Sequence, residues 1–333
     1  MQNTYRGKKI LITGGTGTIG RHLVKRILEQ EPQVIRIFSR DEYKQYEMNI
    51  EYQEHSDRLR FLIGDVRDQQ RLIRAMEDID YVFHLAAMKH VPSCEYNPFE
   101  AVQTNVMGTQ NVIQASIENG VKKVLFTSTD KAISPTNTYG ATKLTAERLI
   151  SAAEYHKGSK KTIFSSVRFG NVMGSRGSVI PLFKQQILEH GKVTITDADM
   201  LRYMMTPSQA IDLILQANES AAGGEVFVLK MPVIRIGDLA EGIIELMNER
   251  YSISEPIAIH TIGLRPGEKR FEELMTFDER LIAREEENMF IIPSSYKGNN
   301  KINAELFHSR PINHMVPIEK ELIIAWLNKE SLV

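Results

Sequence analysis

Short apolar segments alternate with longer amphipathic segments through the first half of this 333-residue chain. The apolar runs predict strands over 9–13, 34–39, 59–64, 81–86, 122–128 and 162–169. The segments between them predict helices near 18–30, 68–77, 99–118 and 139–157. Strands that alternate with helices favour right-handed crossover connections and a parallel sheet covered on both faces. The expected fold class is therefore α/β, with a doubly wound parallel sheet.

The pattern changes after Gly170. A segment rich in glycine and serine, NVMGSRGSVIPLF, is followed by TITDADMLRYMMT. Pro207 then opens a predicted helix that reaches about Asn218, and EVFVLK, residues 225–230, reads as another strand. Further helices are predicted near 236–249 and 268–284. These elements indicate a second, smaller unit of the α/β type.

We expect two domains that pack together, because no linker rich in proline, glycine or serine separates the halves of the chain. The first would hold residues 1–170 together with about 207–230. The second would be a smaller C-terminal α/β domain of residues 171–206 and 231–333. A cleft between them is the expected place for a ligand.

Composition limits the partners. The chain carries 41 Lys and Arg residues against 42 Asp and Glu residues, a formal net charge of −1, so nothing overall drives it toward nucleic acid or an acidic membrane. Its only cysteine is Cys94, so a disulfide within the chain is not expected. No apolar run approaches the roughly 20 residues of a membrane span, and the polar N-terminus does not resemble a signal peptide. We expect a cytoplasmic protein.

The sequence TGGTGTIG, residues 13–20, follows the first strand and opens the first helix. Glycines at 14, 17 and 20 permit a tight turn and a close approach of a pyrophosphate to the helix N-terminus. The alternative is a glycine-rich turn without a ligand, but the strand before and the helix after supply the context of a Rossmann-like dinucleotide site. The cofactor contacts expected here are Thr13, Gly14, Gly17, Thr18, Ile19 and Gly20, together with Ala86 after the fourth strand.

The second strand ends in FSRDE. Ser39 and Arg40 favour the 2′-phosphate of NADP over NAD, since an arginine at this point accommodates the phosphate and an acidic residue binds a free hydroxyl. Asp41 complicates the choice, because it could cap the next helix or reach the ribose. Asp65 and Val66, after the third strand, are placed to contact the edge of the adenine ring, although Asp65 could equally cap a helix.

Tyr139 and Lys143 are four residues apart and so share one face of a helix. A cation near a tyrosine lowers its pKa, and the phenolate can then take a proton from an alcohol. With the glycine motif and the preceding strand rich in serine and threonine, the pair resembles the extended short-chain dehydrogenase/reductase family. That resemblance implies Tyr139 as the base, Lys143 also holding the nicotinamide ribose, and Thr129 bonding the substrate hydroxyl.

The whole stretch STDKAISPTNTYGATK, residues 128–143, resembles the UDP-N-acetylglucosamine 4,6-dehydratases of bacterial surface-sugar biosynthesis. Further matches lie at 86–98, 168–183, 194–206 and 263–269, so the resemblance covers about residues 8–275. Its most specific part is the second acid/base couple, Asp130–Lys131. An epimerase needs the Tyr–Lys pair alone, whereas a dehydratase needs another acid and another base.

The resemblance implies a role for each member of that couple. Oxidation at C4 of the hexose acidifies the C5 proton, Lys131 would remove it, and Asp130 would protonate the departing C6 hydroxyl. The resulting enone would take a hydride back at C6. In water both side chains would be charged, the wrong state for each role. We expect burial to raise the pKa of Asp130 and to lower that of Lys131. The alternative is an ordinary surface ion pair.

The substrate residues also follow from the resemblance. Arg265 and Arg202 would bind the diphosphate, Asn171 could donate to it, and Glu268 suits the ribose diol. Lys89 and His90 follow the fourth strand and would line the sugar site. His84, inside an apolar strand, reads as a core histidine. No His, Cys or Asp cluster has metal-ligand spacing, so no metal is expected.

The expected protein is an NADP-dependent hydro-lyase that acts on UDP-N-acetylglucosamine. Inversion at C5 is favoured over retention, because Tyr139 and the SRGS of 175–178 resemble the inverting branch of the family. A UDP-hexose 4-epimerase or reductase of the same family is one alternative. A regulator that binds NADP without chemistry is another. A homo-oligomer, a dimer or larger, is expected from the family, and neither nucleic acid nor membrane is expected as a partner.

Overall fold

The structure, a computed structural model, describes residues 3–253, 255–264, 268–294 and 316–333. The strands are β1 (Lys9–Thr13), β2 (Val34–Ser39), β3 (Leu59–Ile63), β4 (Tyr81–His84), β5 (Lys123–Thr129), β6 (Ile163–Phe169), β7 (Asn171–Val172), β8 (Lys192–Ile195), β9 (Leu201–Met205), β10 (Val226–Leu229), β11 (Val233–Arg235), β12 (Ala258–Thr261), β13 (Arg284–Glu285) and β14 (Met289–Ile292).

The α-helices are α1 (Thr18–Leu28), α2 (Glu42–Glu51), α3 (Gln69–Met76), α4 (Val91–Tyr96), α5 (Pro98–Ala101), α6 (Gly108–Glu118), α7 (Thr138–His156), α8 (Val179–His190), α9 (Pro207–Ser220), α10 (Ile236–Tyr251), α11 (Phe277–Ile282) and α12 (Lys320–Lys329). A π-helical turn, Val102–Met107, joins α5 to α6, and 3₁₀ turns cover Gln53–His55 and Asp130–Ala132. In the first half of the chain strands alternate with helical segments, as the apolar pattern predicts, and the segment between β4 and β5 holds α4, α5 and α6 in succession.

The described residues form a nine-stranded sheet in the order β13-β14-β10-β6-β5-β4-β1-β2-β3. Seven neighbouring strands of this sheet run parallel, namely β10, β6, β5, β4, β1, β2 and β3. Strands β14 and β13 extend the sheet beyond β10 with antiparallel pairing. The chain proceeds outward from β1 in both directions, so the strand order reverses between β1 and β4. The fold is thus the doubly wound α/β sheet expected from the sequence, and its crevice opens at that reversal.

The strands are apolar on both sides because helices cover both faces. In β1, Ile10 and Ile12 join a core with helices α1 and α9, while Leu11 points into a second core with α3, α6 and α7. This alternation is that of a parallel strand buried on both faces. Both cores hold β1 and its neighbours rigidly, and with them the loops at their carboxyl ends.

A third apolar cluster lies outside the large sheet. It holds residues of α8, α10 and α12, such as Phe183, Ile243 and Leu327. Two small sheets of described residues accompany it, with orders β11-β9-β7 and β12-β8. Strand β10 returns to the large sheet beside β6, and β13 and β14 join it as well, although the sequence pattern assigns 284–292 to the smaller unit.

Some local expectations are wrong. The helix expected over 268–284 is limited to α11, because Glu272, Leu274 and Met275 all turn inward before Thr276 caps that helix with a capping box. The fourth strand ends at His84, so residues 85 and 86 already belong to the wall of the crevice. Helices α2, α4, α8 and α12 were not expected from the apolar pattern.

Candidate active site

The carboxyl ends of β1, β2 and β4 open into a cleft of about 390 Å³. In the turn after β1, Gly14 has a φ of 69°, and a Cβ on it would lie 2.9 Å from the Cα of Ala86. Helix α1 starts after Gly17, and within the described residues no side chain caps its first N–H groups. A glycine turn pressed against the opposite wall and an uncapped helix N-terminus fit the diphosphate of a dinucleotide.

The cleft brings together most of the cofactor residues expected from the sequence: Gly14, Gly17, Thr18, Ile19, Gly20, Ser39, Arg40, Asp65, Val66 and Ala86. Thr13 lies behind the wall, where its hydroxyl accepts hydrogen bonds from the backbone N–H groups of Leu85 and Ala86. The other expected residues therefore line one cleft, and Thr13 holds the backbone of Leu85 and Ala86, which line the cleft.

The end of β2 forms a basic corner of this cleft. Ser39 hydrogen-bonds Thr16 at 2.9 Å, and Arg40 is 58% exposed beside Asp65. Asp41 caps α2 by accepting from the Lys44 backbone N–H, which is one of the two roles left open by the sequence. Asp65 is not a helix cap: Asp68 caps α3, and Asp65 accepts hydrogen bonds from Arg67.

The loop after β7 contributes to the same corner. Arg176 donates its backbone N–H to the Thr18 hydroxyl and its side chain to the Thr16 carbonyl, 3.3 Å away. Both Arg176 and Lys44 line the cleft, and the sequence analysis missed them. The motif SRGS could have indicated Arg176, but only the fold brings it to the end of β2.

His84 lies fully buried behind the cleft in a chain of hydrogen bonds. Thr109 donates to the Asn105 carbonyl at 2.6 Å, so its hydroxyl accepts from Nε2–H of His84 at 3.0 Å. Nδ1 then accepts from the Thr13 hydroxyl at 2.7 Å. Burial, with a smaller effect of Lys143, lowers the pKa of His84 to about 3. The histidine is therefore neutral and ties β1 to α6, consistent with a core residue.

A second pocket, of about 280 Å³, continues from the cleft past Leu85 and Lys89. Strand β5 ends there at Thr129, the 3₁₀ turn follows, and α7 begins after Asn137, whose side chain accepts from the Gly140 N–H. The pocket is lined by Thr129, Lys131, Tyr139 and Lys143, and also by Lys89 and His90. Asp130 lines an adjoining pocket of about 200 Å³. The expected catalytic residues thus meet where the crevice opens.

The electrostatics of the Tyr–Lys pair differ from the expectation. Burial raises the pKa of Tyr139 to about 12, more than the charge of Lys131 and a hydrogen bond with Thr129 lower it. Burial lowers the pKa of Lys143 to about 7. The Lys143 ammonium donates to the Thr127 carbonyl and lies 4.0 Å from the centre of the Phe126 ring. The cation that acts on Tyr139 in this structure is Lys131.

The Asp130–Lys131 couple is not a surface ion pair. Asp130 is 1% exposed, and its Oδ1 accepts from the Thr129 hydroxyl at 2.8 Å and from Lys131 Nζ at 3.1 Å. Burial raises the pKa of Asp130 to about 7, against the opposing charge of Lys131. For Lys131, burial would lower the pKa as expected, but the carboxylates of Asp130 and Glu272 outweigh burial and raise it. That part of the expectation is wrong.

Glu272 is a site residue that the sequence analysis missed. It is 6% exposed, and its Oε1 lies 2.9 Å from Lys131 Nζ and 3.6 Å from Arg202 Nε. Lys131 lowers the pKa of Glu272 to about 2 despite the opposing effect of burial. The signal in the sequence was the acidic pair in KRFEEL, of which Glu273 is exposed.

The expected substrate residues lie around two further pockets. Asn171, Arg202 and Glu268 line both the 200 Å³ pocket and one of about 230 Å³ beside α8. Arg202 also donates to the backbone carbonyls of Lys269 and Arg270. Arg265 lies outside the described residues. Among the residues that the structure describes, no group of three or more His, Cys, Asp or Glu side chains could hold a metal ion.

A buried network of ion pairs holds α7, the helix that carries Tyr139. Arg168 in β6 donates to Glu147 in α7 at 2.6 Å and to Glu279 in α11 at 2.9 Å, and its side chain is fully buried. Nearby charges of the two glutamates keep the pKa of Arg168 raised against the effect of burial. The network ties α7 to the segment that carries Glu272.

The profile of one protein family, described as polysaccharide biosynthesis protein, matches residues 10–294. The chain belongs to this family. Among curated members, an uncharacterized membrane protein of Methanocaldococcus jannaschii, MJ1061, is 49% identical over 93% of each chain. In the described part of the present chain, no helix is long and apolar enough to cross a bilayer.

Two further curated relatives carry names of enzymes. The inverting UDP-N-acetylglucosamine 4,6-dehydratase of Campylobacter jejuni strain 81-176 is 45% identical, covering 88% of this chain and 85% of the relative. The UDP-glucose 4-epimerase of Rickettsia rickettsii is 42% identical, covering 86% and 83%. Relatives at similar identity to this chain are thus named for different reactions.

Solved structures resemble the whole fold. Pen from Bacillus thuringiensis is 53% identical, with a TM-score of 0.92 over 99% of both chains. DesIV of Streptomyces venezuelae, a dTDP-glucose 4,6-dehydratase solved with NAD and TYD bound, is 23% identical, with a TM-score of 0.69 over 78% of this chain and 86% of its own. The second likeness shows the fold.

Proposed function

We propose that the protein is a UDP-N-acetylglucosamine 4,6-dehydratase that inverts C5, and that it serves surface-glycan sugar synthesis. The observation that carries the proposal is the Asp130–Lys131 couple beside Tyr139, in which Asp130 is buried and Lys131 opens into a pocket continuous with a dinucleotide cleft. The 45% identity to an inverting dehydratase supports the same substrate and the same stereochemistry.

The cofactor in this proposal is a nicotinamide dinucleotide in the cleft of Gly14 and Gly17, with Lys143 at its ribose. When bound, this cofactor would supply the hydride chemistry, with a hydride taken from C4 of the sugar and given back at C6. Arg40, Lys44 and Arg176 make the end of β2 basic, which supports NADP over NAD. The NAD of DesIV supports a nicotinamide cofactor in this fold in general.

For oxidation at C4, Tyr139 is the proposed acceptor of the C4 hydroxyl proton. Its raised pKa means that it needs help to ionise, and the Lys131 charge and the Thr129 hydroxyl favour the phenolate. Thr129 at the end of β5 is also proposed to hold the C4 oxygen. The Tyr–Lys face of α7 thus handles one proton, the proton on O4.

Elimination of water needs a neutral base and a protonated acid. Asp130 therefore has to hold a proton, and Lys131, whose Nζ lies 3.1 Å from Asp130 Oδ1, has to lose one before it can act as the base. Lys131 then removes the C5 proton, and Asp130 gives its proton to the C6 hydroxyl, which leaves as water. For inversion a proton has to reach C5 on the face opposite Lys131, and Tyr139, which holds the proton taken from O4, is the proposed donor. The proton that Lys131 took from C5 then restores Asp130, and the product is the 4-keto-6-deoxy sugar.

We also propose how the substrate is held. Asn171, Arg202, Arg265 and Glu268 are candidates for the UDP moiety, and Lys89 and His90 for the sugar, since the described ones line the pockets next to Lys131. Residues 1–170 with about 207–230 would form the cofactor domain, and 171–206 with 231–333 the substrate domain. The inward loop of Glu272 would link the two.

A second candidate is a UDP-glucose 4-epimerase, because relatives from Rickettsia at 42–43% identity carry that name. Epimerisation needs the Tyr–Lys pair alone and would leave the Asp130–Lys131 couple unused. It would also release no water. The two reactions therefore give different products from one assay.

The test is proton NMR of the purified protein with UDP-N-acetylglucosamine in D₂O without added reductant. A new C6 methyl signal with deuterium at C5 is the expected result, and the ring couplings report inversion at C5. Asp130→Asn should abolish the methyl signal. Interconversion of gluco and galacto ring signals without a methyl group would establish the epimerase instead.

A further inference from the structure

Glu272 contacts Lys131 of the Asp130–Lys131 couple but lies outside the sequence motif that contains this couple. It lies in the irregular segment before α11, and its carboxylate faces groups from three other elements. Oε1 lies 2.9 Å from Lys131 Nζ and 3.6 Å from Arg202 Nε, while Oε2 accepts from Asn171 Nδ2 at 3.4 Å. Each of these contacts favours the ionised form of Glu272.

The two carboxylate oxygens of Asp130 have different surroundings. Oδ1 has two donors, but Oδ2 is buried and has no hydrogen-bond partner among the described residues. The backbone of Gly170 closes over it, since a Cβ on Gly170 would lie 2.8 Å from Oδ2. A buried carboxylate oxygen without a donor is costly while it is ionised. A proton on Oδ2 removes that cost and turns the atom into a donor.

The acceptor inferred for that proton is Glu272. Lys131 Nζ lies 3.1 Å from Asp130 Oδ1 and 2.9 Å from Glu272 Oε1, so one ammonium group bridges the two carboxyl groups. A side-chain hydrogen bond between the carboxyl groups also contributes to raising the pKa of Asp130 and to lowering that of Glu272. Two buried carboxyl groups in contact hold one proton between them. The proton belongs to the group with fewer cations and donors around it. Glu272 has Lys131, Arg202 and Asn171, whereas Oδ2 of Asp130 has none of the described donors.

We propose that Glu272 is a positioning residue that keeps a proton on Oδ2 of Asp130 by accepting a hydrogen bond from it, and so stores the acid of the reaction. The consequence for turnover rests on the proposed dehydratase function; the placement of the proton does not. Glu272 acts through Asp130 and need not touch the substrate.

The charge on Asp130 responds to every ionisable group packed against it. These groups are Lys131 in the same turn, Tyr139 in α7, Arg202 and Tyr203 in β9, and Glu272 before α11. Of these, the charge of Glu272 favours the protonated form of Asp130 and the charge of Lys131 favours the ionised form, while both tyrosines have raised pKa values and are neutral where Asp130 titrates. Glu272 is the anion among them that also accepts a hydrogen bond.

The first measurement is infrared spectroscopy of the intact protein without substrate at pH 6. The wild type should show the carbonyl band of a protonated carboxyl group, and Asp130→Asn should remove it. Glu272→Gln should weaken the band at the same pH, because the charge that retains the proton is gone. Glu273→Gln, at the exposed neighbour, should leave it unchanged. A wild type without a band assignable to Asp130 overturns the proposal, whatever the variants do.

The second measurement is the pH dependence of the dehydration rate. In Glu272→Gln, the limb on which the rate falls with rising pH should move down by about one pH unit or more, a tenfold loss of proton affinity at Asp130. Glu272→Asp, which keeps the charge, should restore part of the shift. An unshifted limb with a uniformly lower rate means a merely structural role and overturns the proposal. Absence of turnover in the wild type refutes the dehydratase alone, since the infrared result still decides where the proton is.

Discussion

A Cβ atom on Gly140 would lie 2.1 Å from the carbonyl oxygen of Lys131. The helix of Tyr139 and Lys143 therefore touches the backbone of the turn that carries Asp130 and Lys131. Carbon atoms do not approach an oxygen this closely, so glycine is required at this contact. The contact sets the distance between the two acid/base pairs.

Gly140→Ala should therefore separate the two pairs. We expect a loss of about 1–3 kcal/mol in the free energy of unfolding, typical of overpacking, and a loss of dehydration larger than that of cofactor binding. Denaturant unfolding, cofactor titration and the NMR assay measure the three effects. Ala141→Ser, one position along on the exposed side, is the control. Wild-type activity in Gly140→Ala would show that the spacing is not critical.

The Arg168 network should dominate the stability of this region. Arg168→Met leaves Glu147 and Glu279 buried without their cation, so the free energy of unfolding should fall by about 3–5 kcal/mol. Arg148, which is 57% exposed and 3.8 Å from Glu279, provides the matched control. Arg148→Met should cost about 1 kcal/mol at most. Equal losses in urea unfolding of the two variants would contradict the role of burial.

Lys143 should make the stability of the cofactor-free protein depend on pH. Its pKa is lowered from 10.5 to about 7 by burial, so between pH 7 and 10.5 the unfolded chain binds more protons. The free energy of unfolding should therefore rise with pH across this window, by at most about 1.4 kcal/mol per pH unit from this group. Below pH 7 the penalty is constant.

Lys143→Met removes this term, and the difference between wild type and variant should grow in favour of the wild type from pH 7 to 9. Urea unfolding at several pH values measures it. Lys25→Met, at an exposed position of α1, controls for the loss of a lysine. A difference that stays constant with pH would rule out the buried ammonium as the cause.

We expect that His84 can be replaced only by a side chain that hydrogen-bonds both Thr13 and Thr109. His84→Phe leaves the hydroxyls of Thr13 and Thr109 without their ring partner, and we expect a loss of about 1–3 kcal/mol. His84→Gln, which can donate and accept, should cost less. Since Thr13 also holds the wall at Ala86, cofactor affinity should fall in the same order. Thermal unfolding and dinucleotide titration check both orders.

The basic corner at β2 should decide between the two dinucleotides. Arg40→Ala and Arg176→Ala should each weaken NADP binding by about tenfold, with little effect on NAD, because a charge-assisted hydrogen bond to the 2′-phosphate is lost. Calorimetric titration of both dinucleotides gives the ratio. Lys25→Ala serves as the control for net charge. Parallel losses for NAD and NADP would place the 2′-position elsewhere.

Much of this fold was predictable because its signals are local. The apolar runs of β1 to β6 and the glycine turn at Gly14 are written in neighbouring residues, and the family resemblance placed the two acid/base pairs in one segment. The helix expected over 268–284 failed because Glu272, Leu274 and Met275 are buried by tertiary contacts rather than by helical periodicity. The apolar pattern did not give the extent of α2, the helix that Asp41 caps, because its exposed tyrosines weaken the amphipathic pattern.

The sequence by itself determined that Asp130 and Lys131 are neighbours and that Tyr139 and Lys143 share a helical face, because both facts follow from covalent spacing. Only the tertiary structure decided their charges. Glu272 and Arg202 reach the couple from distant parts of the chain, and burial under Gly170 isolates one oxygen of Asp130. Electrostatic energies depend on distance in space and on exclusion of water, and neither quantity is set by position along the chain.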